Sequence, residues 1–289
     1  MPTKLASLRP SSDLSESSIT SYNRSFNTMK ERGVNTLSLE AVKKYFKDNQ
    51  FQINSQRFYL STIIHHYRDI PEHAEYLVTL RKYNLSLAPI VEQNKKEQAM
   101  NDKEKEKHVP WDEVVDKSVK YINTEKNRLD FRILVGLYTL LDPVRIDYTN
   151  MKLYRTEPKE VNGSYFLINS TKQEVVITEF KTSKHHGNIR QALPALLSEL
   201  IEDWFKENKD GVMFDMSENY MSRVVKKLFT EITGKPMTVT ALRHSRITFH
   251  HSDTPPPLVN KILARNMGHS VGMQQSYRFV ADEKTLSFV

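Results

Sequence analysis

The sequence predicts a mainly α-helical protein with a small antiparallel β-sheet, an α+β fold arranged as two domains. Three observations carry this expectation. Apolar residues recur three or four positions apart through most of the 289 residues, the period of helices that bury one face. Residues 151–194 instead hold short β-branched and aromatic runs separated by glycine and polar turns. Between the two halves, the block NKKEQAMNDKEKEK at 94–107 has almost nothing to bury.

The elements follow in order. Residues 1–14 are rich in Ser and Pro without an apolar period, and are expected to be disordered. Over 18–32, Ile19, Tyr22, Phe26 and Met29 share a helical face, and Gly33 stops the helix. Ser38 is placed to cap a second helix whose Leu39, Val42 and Phe46 face one way, with Ala41 where a capping box would hold a carboxylate. A third helix is expected over 56–67, and a fourth starting after Pro71 and running towards Val91. This defines a helical domain over 15–94, a solvated linker over 95–108 and a second domain over 109–289.

In the second domain, helical periods at 111–121 and 127–141 end at Asp142-Pro143. The runs at 165–168, 175–177 and 189–193 predict a three-stranded antiparallel sheet. Helical periods return at 196–205, 218–229, 240–249 and 257–267, followed by a short helix expected to hold Tyr277.

Composition narrows the function. The chain is 38% hydrophobic and 27% charged, with no apolar run near the roughly 18 residues of a membrane span. Its first residues lack the apolar core of a signal peptide, so an intracellular protein with no membrane partner is expected. No cysteine is present, which removes disulfides and thiolate ligands. Net charge is +7, with an isoelectric point near 9.3, the balance of a protein with a polyanionic partner. The pairs His65-His66, His185-His186 and His250-His251 lack a carboxylate or thiolate cluster, and adjacent side chains diverge on a helix; structural or solvent-facing roles are expected for them.

The residues that carry chemistry gather near the end. Arg243 and His244 are adjacent, Gly268-His269 follows, and Tyr277 comes after. A phenol beside cations suits attack on a phosphodiester, because the cations neutralise charge growing on the phosphoryl oxygens.

Leu242-Arg243-His244-Ser245, Met267-Gly268-His269-Ser270 and Tyr277 resemble the C-terminal signature of the tyrosine recombinase (phage integrase) family, with Asp142-Pro143-Val144-Arg145 upstream and Phe180-Lys181-Thr182-Ser183-Lys184 between. The resemblance spans 111–277, and the wording around Arg145 and Lys181 looks like recombinases of large DNA viruses, virophages and eukaryotic mobile elements. It implies a C-shaped clamp on double-stranded DNA, with the helical domain as the core-binding half. Arg145 and Arg243 would offer planar pairs of donors to the scissile phosphate. Lys181, or Lys184 in the same turn, would protonate the leaving 5′-hydroxyl. His269 would bond a phosphate oxygen or assist proton movement, and Tyr277 would form a 3′-phosphotyrosyl link. The resemblance implies no metal and no nucleotide cofactor, and self-association to a dimer or tetramer on DNA; the apolar tail Leu286-Ser287-Phe288-Val289 suits packing on a neighbouring protomer and equally docking on its own domain.

Two positions depart from the family's pattern. Thr240 stands three before Arg243 where a histidine is usual, and a hydroxyl is a poor proton acceptor. His244 is adjacent to Arg243 and so lies on a different helical face, which keeps it from replacing the missing base. The eight positions from His269 to Tyr277 are one fewer than usual. The same residues would serve a type IB topoisomerase or a telomere resolvase, and a catalytically silent DNA-binding protein on this fold is the remaining alternative.

Overall fold

The structure is a computed structural model that describes residues 14–97, 100, 102–160, 163–178, 180, 183, 187–209, 211–252 and 255–279. The expectation of disorder at 1–14 and the tail at 286–289 fall almost wholly outside these residues, as do His185 and His186. The chain divides into two compact units, Met1–Glu97 and Gln98–Val289. Among the described residues no helix is long and apolar enough to cross a membrane.

The first unit is helical throughout its described residues. Helix α1 (Glu16–Glu31) starts where the Ser15 hydroxyl accepts the Ser18 N–H, and Gly33 follows it at a left-handed φ of 70°. Ser38 caps α2 (Leu39–Asp48) by accepting the Ala41 N–H, the role its position predicts. Helix α3 spans Ile53–Tyr67. The single helix expected after Pro71 is two, α4 (Ala74–Ser86) and α5 (Ala88–Glu97). The break falls at Leu87, because Pro89 has no N–H to continue the ladder. Phe26, Met29, Val42, Phe46, Leu60, Ile63 and Leu80 fill the core. His66 stacks on Phe26 at 3.9 Å, His65 meets Tyr22 at 5.2 Å, and burial pulls both imidazoles below their usual pKa. Both rings therefore pack, half-buried, against aromatic side chains of α1, a structural role.

The expected linker holds the end of α5, which closes the first unit, and a short helix of the second, α6 (Asp102–Lys107). Helices α7 (Trp111–Ile122) and α8 (Leu129–Thr139) come next, and α8 is apolar on nearly all sides. The sheet differs from the expected one. It has four strands in the order β1 (Lys152–Tyr154), β2 (Tyr165–Ile168), β3 (Gln173–Ile177), β4 (Ile189–Ala192), with β1 parallel to β2 and the others antiparallel. The antiparallel expectation missed β1 because three residues are too few to show a period of two. Phe166, Ile168, Val175 and Ile177 join the main core, while Tyr165, Leu167 and Val176 form a second cluster with Tyr154. Helices α9 (Ala195–Glu207), α10 (Glu218–Thr233), α11 (Val239–His250), α12 (Pro257–Asn266) and α13 (Val271–Gln275) complete the unit. Gly234, left-handed at φ 79°, ends α10.

Candidate active site

Three segments of the second unit supply the site. The first is the loop between α8 and β1. Asp142-Pro143 follows the end of α8, and Arg145 sits in the loop beyond it. The Tyr138 hydroxyl donates to the Arg145 carbonyl at 2.7 Å, and the Arg145 N–H donates to Asp147 Oδ2 at 3.1 Å. This pins the backbone under the guanidinium, whose Nη1 points to the Gly268 carbonyl at 3.5 Å. Burial pushes the Asp147 carboxyl up to about 6, against the pull of the Arg145 N–H and of the Arg145 and Arg243 charges.

The second segment is α11, capped by the Thr238 hydroxyl on the Ala241 N–H. It buries Arg243 to 2% exposure, a rare state for an arginine. Nη1 donates to the carbonyls of Pro143 and Met267, each at 2.9 Å, tying the first segment to the third. Nε and Nη2 are buried without a well-formed hydrogen bond inside the protein. Burial lowers the pKa of this guanidinium, and the facing Tyr277 offsets the penalty most among its neighbours. An arginine still stays charged.

The third segment runs from Asn266 to Phe279. Gly268 is left-handed at φ 67°, and a Cβ there would come within 3.0 Å of Ile189 Cδ1 and 3.2 Å of the Phe180 ring. The turn delivers His269, which is 3% exposed with Nδ1 3.2 Å from the Ser270 carbonyl. Ser270 caps α13. Tyr277 lies in the turn beyond α13, not on the helix expected to hold it. The last turn tightens there, with Ser276 N–H donating to Met273 O and Tyr277 N–H to Gln274 O, each at 3.0 Å. The helix stops before the tyrosine.

Arg145, Arg243, His269 and Tyr277 thus converge. The Tyr277 ring centroid is 5.4 Å from the Arg243 guanidinium carbon and 5.7 Å from the His269 ring, which lies parallel to it within 8°. Thr240 is exposed on the first turn of α11, beside a cavity of about 320 Å³ walled by Thr238, His108, His244 and Phe279. His244 faces the Tyr277 backbone, with Nδ1 2.7 Å from its carbonyl. Lys181 and Lys184 lie outside the described residues; the segment that contains them joins the antiparallel strands β3 and β4.

Sequence reading missed the groups that hold these segments together. Asp142 Oδ1 accepts Arg246 Nε at 3.0 Å, and Oδ2 accepts Asn266 Nδ2 at 2.8 Å. Gln191, 6% exposed, accepts the Asp142 N–H and donates to its carbonyl, both at 2.9 Å, and also donates to the Asn266 carbonyl at 3.1 Å. One signal was available. Gln191 alternates with Ile189 and Leu193 on a strand, so a polar side chain occupies an apolar face and must have partners. Among the described residues no cluster of three or more His, Asp or Glu is arranged to hold a metal ion.

No protein-family model matches the chain, and no curated protein does. Among solved structures the chain is similar to XerA recombinase, at 12% sequence identity over 95% of this chain and 91% of that one, with a TM-score of 0.44.

Proposed function

We propose that this chain cleaves and rejoins double-stranded DNA through a phosphotyrosyl intermediate, as a site-specific recombinase. The observation that carries the proposal is the convergence of Tyr277 with two arginines and a histidine, where one arginine is buried with two guanidinium nitrogens left without a well-formed bond in the protein. Among the described residues the only side chain that faces these donors is the Tyr277 phenol, and buried donors held without good geometry are costly. A phosphate bound between the guanidinium and the phenol would supply well-placed acceptors and a full negative charge together.

In the reaction the Tyr277 phenol gives up its proton with the help of His269 as its oxygen attacks the phosphorus, the bond to the 5′-oxygen breaks, and a 3′-phosphotyrosyl link remains. The leaving oxygen takes a proton from Lys181 or Lys184. Attack by a free 5′-hydroxyl on the link reverses the step, and a hydroxyl from a second duplex completes strand exchange. Self-association on DNA brings the two duplexes together. The exposed cations Arg223, Lys226 and Lys227 on α10 and the net charge of +7 suit a polyanion, so affinity falls steeply with salt.

The test is covalent trapping on nicked duplexes, resolved on a denaturing gel. A DNA-linked band from the wild type that is lost in Tyr277→Phe supports the proposal. No band on DNA that the protein demonstrably binds overturns it in favour of a binding protein, and relaxation of supercoiled DNA by the monomer favours a topoisomerase.

A further inference from the structure

We infer that His244 is a positioning residue for Tyr277: its Nδ1 holds the main-chain carbonyl of the tyrosine and so sets where the phenol stands against Arg243 and His269. The inference rests on the reading of Tyr277 as the nucleophile. Being next to Arg243 on α11, His244 points away from the arginine's face. It meets Tyr277 at the main-chain carbonyl and along the ring.

The geometry fixes the chemistry of that contact. Nδ1 lies 2.7 Å from the Tyr277 carbonyl oxygen. A carbonyl can only accept, so Nδ1 carries the proton and donates. That nitrogen is thereby engaged, and the imidazole does not take the phenol's proton through it.

The ring is held on both sides. It stacks on Phe279 at 4.6 Å and 14°, and meets the Tyr277 ring at 4.7 Å and 37°. Phe279 is 9% exposed; its N–H donates to Thr248 Oγ1 at 3.0 Å, and its ring meets His108 edge-on at 5.9 Å. Residues 277–279 are therefore fastened to α11, the helix that also carries Arg243. This matters because Tyr277 stands beyond the five-residue α13, where its own N–H makes only a turn bond to Gln274. The His244 bond supplies the restraint that a continuing helix would have supplied.

The test compares three substitutions in single-turnover adduct formation on the nicked duplex, with duplex affinity and thermal midpoint measured for each. In His244→Asn the amide nitrogen takes the place of Nδ1. His244→Gln places its donor near Nε2 instead, and His244→Leu fills the space without a donor. His244→Leu and His244→Gln are expected to slow adduct formation by about 100-fold, the scale on which a misplaced reacting group loses rate. His244→Asn should recover at least about tenfold of that loss, with duplex affinity unchanged in all three. Equal rates in the three variants, or a leucine variant as fast as wild type, would overturn the inference while leaving Tyr277 as nucleophile. A wild type that binds the duplex and forms no adduct overturns the reading of Tyr277, and the positioning role with it.

Discussion

Two polar clusters lie side by side in the second unit, and α11 contributes an arginine to each, one turn apart. Arg246 faces Asp142, with Nη2 2.9 Å and Nε 3.0 Å from the same carboxylate oxygen. Asn266 takes the other oxygen, and Gln191 closes the Asp142 backbone. Arg243 is more deeply buried, yet no carboxylate lies within ion-pairing distance of it among the described residues, and Nε and Nη2 lack a well-formed bond. The first cluster is complete within the protein and serves to fasten segments. The second is an incomplete set of donors around a phenol, an arrangement that costs stability and makes sense when an anion completes it.

Substituting the two arginines alike is the strongest way to break this contrast. Arg243→Met should lower adduct formation by about 1000-fold, as loss of phosphate-stabilising donors does. Its stability should stay within about 1 kcal/mol of wild type, because a buried charge is removed as the carbonyls of Pro143 and Met267 lose a donor. Arg246→Met should do the reverse. Leaving Asp142 without its cation is expected to cost about 3 kcal/mol in denaturant unfolding, with duplex affinity largely kept. If both substitutions destabilise equally and neither affects cleavage more, the contrast is wrong.

Asp147 allows a finer test by pH. Its carboxyl is raised from an ordinary 3.8 to about 6 by burial, so the folded state holds its proton more tightly than the unfolded chain. The ionised group therefore costs stability. That cost is absent below about pH 4 and fully present above about pH 6, amounting to about 3 kcal/mol. Asp147→Asn should flatten the fall in unfolding free energy across that window; an unchanged slope would assign the pH dependence elsewhere. Gly268→Ala should cost about 1 to 2 kcal/mol, since the residue is left-handed and its Cβ would press on Ile189 and Phe180. Its adduct formation should fall further than stability alone explains, because the same turn places His269. The smallest effect belongs to Thr240→Ala, expected to change the adduct rate less than about threefold, in keeping with an exposed hydroxyl that is a poor proton acceptor.

Much of the fold was legible because helices announce themselves locally. The stripe of Tyr22, Phe26 and Met29 and the cap at Ser38 are both found where their spacing put them. Errors arose where the period is short or interrupted: β1 with three residues, and the break before Pro89. Of the candidate site, Arg145, Arg243, His269 and Tyr277 were picked out by order and type, and the structure gathers them. Asp142 was visible only as a helix breaker, and its partners Gln191, Arg246 and Asn266 lie 49, 104 and 124 positions away.

The sequence by itself determined which residue types could do phosphoryl chemistry, the helical character of both units and the charge that suits a polyanion, since each depends on composition or on neighbours within a turn or two. Only the tertiary structure decided which of two like arginines on one helix is tied to a carboxylate and which is held against the tyrosine. It also decided that His244 meets the Tyr277 carbonyl and packs between the Tyr277 and Phe279 rings. Such distinctions depend on burial and on partners brought in from distant segments, and neither quantity exists until the chain has folded.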